Sequence, residues 1–169
     1  FRYFDANKEL LANAGFDGAV IRAWEEIGLL KEWAGEYSQL KDLTLIMDYG
    51  IYTMNRAAEK MTAKMVSGFR HRLTLPVELN SRELEDMGCR GGELIVYGRL
   101  PMMVTAQCMK KTVDSCKKKP ELLFLRDRMG KEFPVKNHCR FCYNTIYNTS
   151  PLSLLKDRHR IDGLGPESL

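Results

Sequence analysis

The chain has 169 residues, 44% hydrophobic and 28% charged, with 13 Gly and 6 Pro, proportions that exclude collagen, a coiled coil and general disorder. Net charge is +4. No run approaches the roughly 18–20 uncharged apolar residues of a membrane span and no signal peptide opens the chain, so the cytoplasm is the expected compartment and no membrane partner is expected.

The chain starts at Phe1, not Met, and reads as a piece of something longer. Four apolar runs follow along residues 1–98: Ala19-Val20-Ile21, Leu43-Thr44-Leu45-Ile46-Met47, Leu73-Thr74-Leu75 and Leu94-Ile95-Val96-Tyr97. They recur about 20–30 residues apart, the pitch of a strand-plus-helix unit. Continuous apolar runs suit strands covered on both faces. Helical spacing fills the gaps, with Leu10, Leu11 and Ala14 first, then Trp24, Ile27, Leu30 and Ala34. A longer helix is expected over roughly residues 52–66, through Ala57, Met61, Met65 and Val66. Asn80 with Glu83 three positions on is a capping-box variant that starts a helix at Arg82–Met87.

Alternating strands and helices mean α/β. Four such units make the C-terminal half of a (β/α)8-type barrel, and the missing Gly-rich phosphate fingerprint weakens an open dinucleotide-binding sheet. Barrel chemistry sits where strands end, so Arg22, Asp48, Glu78 and Arg99 are of interest there, with Asp48, Glu78 and Arg99 as catalytic candidates. Helix capping or mutual pairing is their plainer role. Half a barrel also leaves an open sheet edge and an apolar helix face, so self-association is expected.

From residue 99 to 169 the character changes to a Cys-rich segment. Residues 99–140 carry 11 Lys/Arg against 4 Asp/Glu, whereas residues 1–98 carry 12 against 15. Glu121-Leu122-Leu123-Phe124-Leu125 and Glu132-Phe133-Pro134-Val135 flank Asp127-Arg128-Met129-Gly130, which predicts a β-hairpin. Ser150-Pro151 is expected to open a short helix carrying Leu152, Leu154 and Leu155, and the tail from Gly163 is expected to fray.

Five cysteines occur, and an odd count without a secretory signal argues against a disulfide framework. Cys108 and Cys116 lie before the hairpin, Cys139 and Cys142 after it, so folding the hairpin brings the pairs together. Cys139-Arg140-Phe141-Cys142 is a C-x-x-C knuckle. Four thiolates suit a tetrahedral Zn²⁺ or a 4Fe–4S cluster, and the wide spacing of Cys108 and Cys116 leans toward the cluster. Four inert buried thiols are the plain alternative. Cys89 is the spare, and His138, beside the knuckle, is left outside the ligand set. No G-x-S-x-G, H-E-x-x-H or Walker loop is present.

Three strings carry a resemblance: Glu93-Leu94-Ile95-Val96-Tyr97-Gly98-Arg99-Leu100-Pro101-Met102-Met103-Val104 followed by Cys108, Leu125 through Val135, and Cys139 through Asn148 with Pro151-Leu152. Together with Met47-Asp48-Tyr49, Asn55 and Leu75 through Asn80, they resemble the collagenase-like peptidase family (the U-32 peptidases). The resemblance implies a barrel with a 4Fe–4S cluster on Cys108, Cys116, Cys139 and Cys142. Arg99-Leu100-Pro101 and Gln107 depart from the most familiar form of the signature, where an early cysteine and a histidine are common.

Three functions follow. One is RNA base hydroxylation or modification (transfer or ribosomal RNA), with Lys110, Lys111, Lys117, Lys118, Lys119 and Arg140 on phosphates and Phe141 or Tyr143 stacking on a base. The second is the hydrolase activity of the family label on a peptide substrate, for which no nucleophile–base pair is visible. The third is a non-catalytic module stapled by Zn²⁺ on four cysteines.

Overall fold

The computed structural model describes residues 5–88, 90–113, 116 and 118–169, so Cys89 and Lys117 lie outside the described residues. Among the described residues the protein is mixed α/β with three sheets, none closed into a barrel. It divides into two compact units, one ending at Ile95 but including Asp157–Leu169, the other Val96–Lys156. The C-terminal segment, read from the sequence as part of the Cys-rich half, thus groups with the first unit.

The first unit is built on a parallel sheet of β1 (Gly18–Ile21), β2 (Thr44–Met47) and β3 (Arg70–Leu73), in that order. Register runs Ala19↔Leu45↔His71, so β2 is the middle strand, and its Leu45 and Met47 are buried. Gly18 is required for the close approach, because a Cβ there would stand 2.6 Å from the Thr44 carbonyl oxygen. The core joins Ile21, Leu45 and Met47 to Ile27, Trp33 and Leu40.

The helices are α1 (Lys8–Ala12), α2 (Trp24–Glu36), α3 (Arg56–Met65) and α4 (Ser81–Met87). Each of the last three starts at an acceptor that satisfies otherwise unpaired N–H groups. Glu26 accepts from the N–H of Arg22 (2.7 Å) and Ala23 (3.2 Å). Asn55 Oδ1 accepts from Ala57 and Ala58. Asn80 and Glu83 exchange bonds as a full capping box. Asn55→Ala and Asn80→Ala are each expected to lower stability by about 1 kcal/mol, read from urea midpoints.

Three sequence expectations are corrected. The third strand covers Arg70–Leu73, not Leu73–Leu75, since only Thr74 continues it as a bridge to Glu93. The fourth run forms no strand over Leu94–Val96: Glu93 before it bridges Thr74 and Ser168, and only Tyr97 at its end enters a strand, a different one. The tail is not frayed, because α6 (Arg158–Leu164) ends at Gly165, and Glu167 N–H and Ser168 C=O then bond Gly92 and Leu94.

The second unit holds β4 (Tyr97–Gly98), β5 (Pro101–Thr105), α5 (Met109–Val113), β6 (Leu122–Arg126), β7 (Glu132–His138), β8 (Tyr143–Tyr147) and β9 (Leu152–Ser153). Leu152 therefore starts a short strand paired with β4, where a helix was expected. The predicted hairpin is β6–β7. Its turn is held by Asp127, whose Oδ1 accepts from Met129 (2.8 Å) and Lys131 (2.9 Å), while Gly130 takes φ +79°. β8 adds antiparallel to β7 and β5 antiparallel to β8, giving the order β5-β8-β7-β6.

Candidate metal centre

The strand register decides where the cysteines go. β5 runs toward the end of the sheet at which Thr105 pairs with Asn144, and β7 runs toward the same end, where His138 pairs with Tyr143. β8 starts from that end, and so does β6, whose Leu122 pairs with Lys136. The β7–β8 turn and both ends of the β5-to-β6 connection therefore share one end of the sheet. That connection must travel from one edge strand to the other, three strand spacings or about 14 Å. Cys139 and Cys142 sit in the turn it passes, and Cys108 and Cys116 sit on the connection itself.

The turn is tight: Phe141 N–H donates to the His138 carbonyl at 3.0 Å, and Cys142 takes φ +54°. The Cys142 thiol lies 3.8 Å from the Cys139 carbonyl oxygen. On the connection, α5 begins directly after Cys108, whose carbonyl accepts from both the N–H and the hydroxyl of Thr112. Lys110 Nζ lies 2.6 Å from Glu121 Oε2, tying the helix to the start of β6.

All four thiols are free; Cys108 and Cys139 are half-buried, Cys116 and Cys142 exposed. Burial pushes the Cys139 thiol up from its ordinary pKa, and Cys116, Cys108, Cys142 and Glu121 raise it further. Those neighbours place all three other cysteines within electrostatic reach of Cys139. Gathering would-be thiolates is unfavourable by itself, and a bound cation reverses its sign. A set of four soft sulfur donors fits Zn²⁺ or an iron–sulfur cluster. Among the described residues no three of His, Cys, Asp or Glu are drawn closely enough to hold a metal ion as they stand.

Protein-family models, curated proteins and solved structures yield no significant match to this chain.

The aromatic side chains beside the turn form a short stack. His138 and Tyr143 rings lie 4.3 Å apart at 14°, Phe141 stands 6.4 Å from Tyr143, and the Arg140 guanidinium lies over Phe141 at 5.5 Å. Burial, followed by the Lys136 charge, lowers the His138 pKa, which favours a neutral ring beside Thr145 Oγ1. Phe141 is 61% exposed, and Lys111, Lys118, Lys119 and Arg140 are exposed too, while Lys110 is engaged with Glu121.

The catalytic candidates divide between the units. Asp48 follows β2 and meets Arg22, which follows β1, with Nε 3.2 Å from Oδ2; its Oδ1 accepts from Tyr49 N–H. Glu78 stands exposed ahead of α4. Arg99 is in the second unit, where Nη1 donates to the Asn148 (2.8 Å) and Thr149 carbonyls, a bracing role.

Two residues were missed in the sequence. Asn137 and Asn144 are 2% and 0% exposed and pair in register across β7 and β8. The available signal was their symmetry about the knuckle, in Asn137-His138-Cys139 and Cys142-Tyr143-Asn144.

Proposed function

We propose that the second unit is a four-thiolate centre carrying a 4Fe–4S cluster on Cys108, Cys116, Cys139 and Cys142, in a protein of the U-32 peptidase-like family that acts in RNA base hydroxylation. The observation that carries the reading is the strand register, which puts the Cys139–Cys142 turn and both ends of the connection bearing Cys108 and Cys116 at one end of the sheet. Four free thiols, two of them exposed and none in a disulfide, are the chemistry of a metal site rather than of a core. When bound, such a cluster supplies one-electron chemistry.

The chain's own residues do the remaining work. Lys111, Lys118, Lys119 and Arg140 offer positive charge beside the turn, and Lys117 adds to that charge by sequence. Phe141, exposed under Arg140, offers an unpaired base a face to stack on. The half-buried His138–Tyr143 stack backs it with a neutral imidazole.

We read the first unit as part of a (β/α)8-type barrel. Its strand order is sequential without the reversal that marks a doubly wound sheet. β1 is an edge strand, and beside it opens an apolar cavity of about 600 Å³ lined by Phe16, Leu30, Trp33 and Leu43. An uncovered edge of this kind favours self-association or pairing with further barrel strands. Peptide hydrolysis has less support: the Arg22–Asp48 ion pair and the bracing of Arg99 leave no nucleophile–base arrangement among them.

The RNA reading is tested by binding of the full chain to a short single-stranded RNA. Three phosphate contacts predict an affinity loss of roughly 20-fold between 50 and 200 mM salt. Changing Lys117, Lys118 and Lys119 together to Glu is expected to abolish most of that binding. Affinity indifferent to salt and to this triple change removes the RNA reading.

A further inference from the structure

We propose that Asn137 and Asn144 form a chain of amides that ties down both ends of the β5-to-β6 connection and so positions Cys108 and Cys116 beside the Cys139–Cys142 turn. The inference rests on the four-thiolate reading.

Each asparagine uses one end of its amide on the connection. Asn144 Nδ2 donates to the Gln107 carbonyl at 2.9 Å, one residue before Cys108. Asn137 Oδ1 accepts from Glu121 N–H at 2.6 Å, at the connection's other end. The other ends, Asn137 Nδ2 and Asn144 Oδ1, are buried and have no hydrogen-bond partner among the described residues. They are complementary, one a donor and the other an acceptor, on residues that face each other in register. The proposed chain joins these two atoms as its middle link.

With the link closed, every bond runs in one direction: Glu121 N–H to Asn137 Oδ1, Asn137 Nδ2–H to Asn144 Oδ1, Asn144 Nδ2–H to the Gln107 carbonyl. Aligned amides polarise one another in a low-dielectric interior, so each link strengthens its neighbours. No other polar side chain of this sheet is as deeply buried as Asn144, and an amide left half-satisfied is a poor choice where leucine or valine would pack. Its gain is positional. The two asparagines anchor the connection at Gln107, directly before Cys108, and at Glu121, five residues after Cys116.

The experiment uses the full chain with Zn²⁺ as the probe, its affinity measured by competition with a chelating dye, and Co²⁺ to count bound thiolates from the sulfur-to-metal absorption. Asn144→Asp keeps the shape and the acceptor but removes the donor to Gln107. It is expected to weaken Zn²⁺ binding by about 10–100-fold and to lower the Co²⁺ thiolate absorption. In the Asn144→Asp, Cys108→Ser double variant the second change is expected to add little, because Cys108 is already displaced. A purely structural asparagine predicts instead that the two losses multiply and that the thiolate count per bound Co²⁺ stays unchanged, which overturns the proposal. Should Asn144→Asp fail to fold by circular dichroism, Asn137→Asp carries the test. It retains the acceptor for Glu121 and removes only the middle donor, and wild-type affinity in that variant equally overturns the proposal. Wild-type chain that binds neither ion through its cysteines brings down the four-thiolate reading, and this inference falls with it.

Discussion

Cys139→Ser chain, purified anaerobically beside the wild type, is expected to be colourless and to lose nearly all iron and sulfide. Cys139 lies within electrostatic reach of the other three thiols, so its loss removes one of the four proposed ligands. The expected effect is large because metal binding and folding are coupled. Structural zinc in small domains contributes an apparent 10–16 kcal/mol or so at neutral pH, and a site short of a ligand loses much of that. Cys142→Ser, Cys108→Ser and Cys116→Ser are expected to follow, and Cys89→Ser to retain wild-type metal content. Brown wild-type protein with iron and sulfide in equal amounts supports the cluster. Colourless protein with one zinc converts the reading to a structural staple, and a wild type free of both metals ends it. The same samples report on function, since the staple predicts no one-electron reduction in a redox titration.

Leu45→Ala is expected to cost roughly 2–5 kcal/mol, the largest effect of a single core substitution in the first unit. Leu45 is fully buried on the middle strand, between β1 and β3, so neither side of the sheet can collapse into the space left behind. Urea unfolding followed by tryptophan fluorescence measures it, because Trp33 belongs to the same buried cluster. The four proposed ligands Cys108, Cys116, Cys139 and Cys142 lie in the other unit, so metal content per folded chain is expected to stay at the wild-type level. A shift of the midpoint by less than about 1 kcal/mol would mean that the cluster around β2 is not a packed core.

The first two strands and the helices after them were legible because short-range chemistry specifies them. Val20-Ile21 and Leu45-Ile46-Met47 are apolar runs between polar breaks, and Asn55 and Asn80 carry their helix-start function in their own side chains. The Asp127–Gly130 turn was legible for the same reason, since Asp127 bonds residues two and four positions on. Misreadings occurred where a distant segment decides the outcome. Leu94-Ile95-Val96-Tyr97 has a strand's composition, yet Glu93 is where the chain finds its parallel partner, and Tyr97 pairs instead with Ser153. Ser150-Pro151-Leu152 looks like a helix start and is drawn into a strand by the same pairing. Both contests are between weak local preference and a ladder of long-range hydrogen bonds, which local preference loses.

The amino-acid sequence by itself determined the α/β alternation, the helix starts, the hairpin turn, the local excess of basic residues and the spacing of four cysteines about the hairpin. Each is a property of neighbouring residues or of composition. Only the tertiary structure decided that β5 and β8 join the hairpin, which end of the resulting sheet takes the Cys139–Cys142 turn, and that Asn137 and Asn144 lie buried in register on β7 and β8. Which strand lies next to which depends on backbone groups that every residue carries alike, so the sequence marks where strands are far better than whom they join.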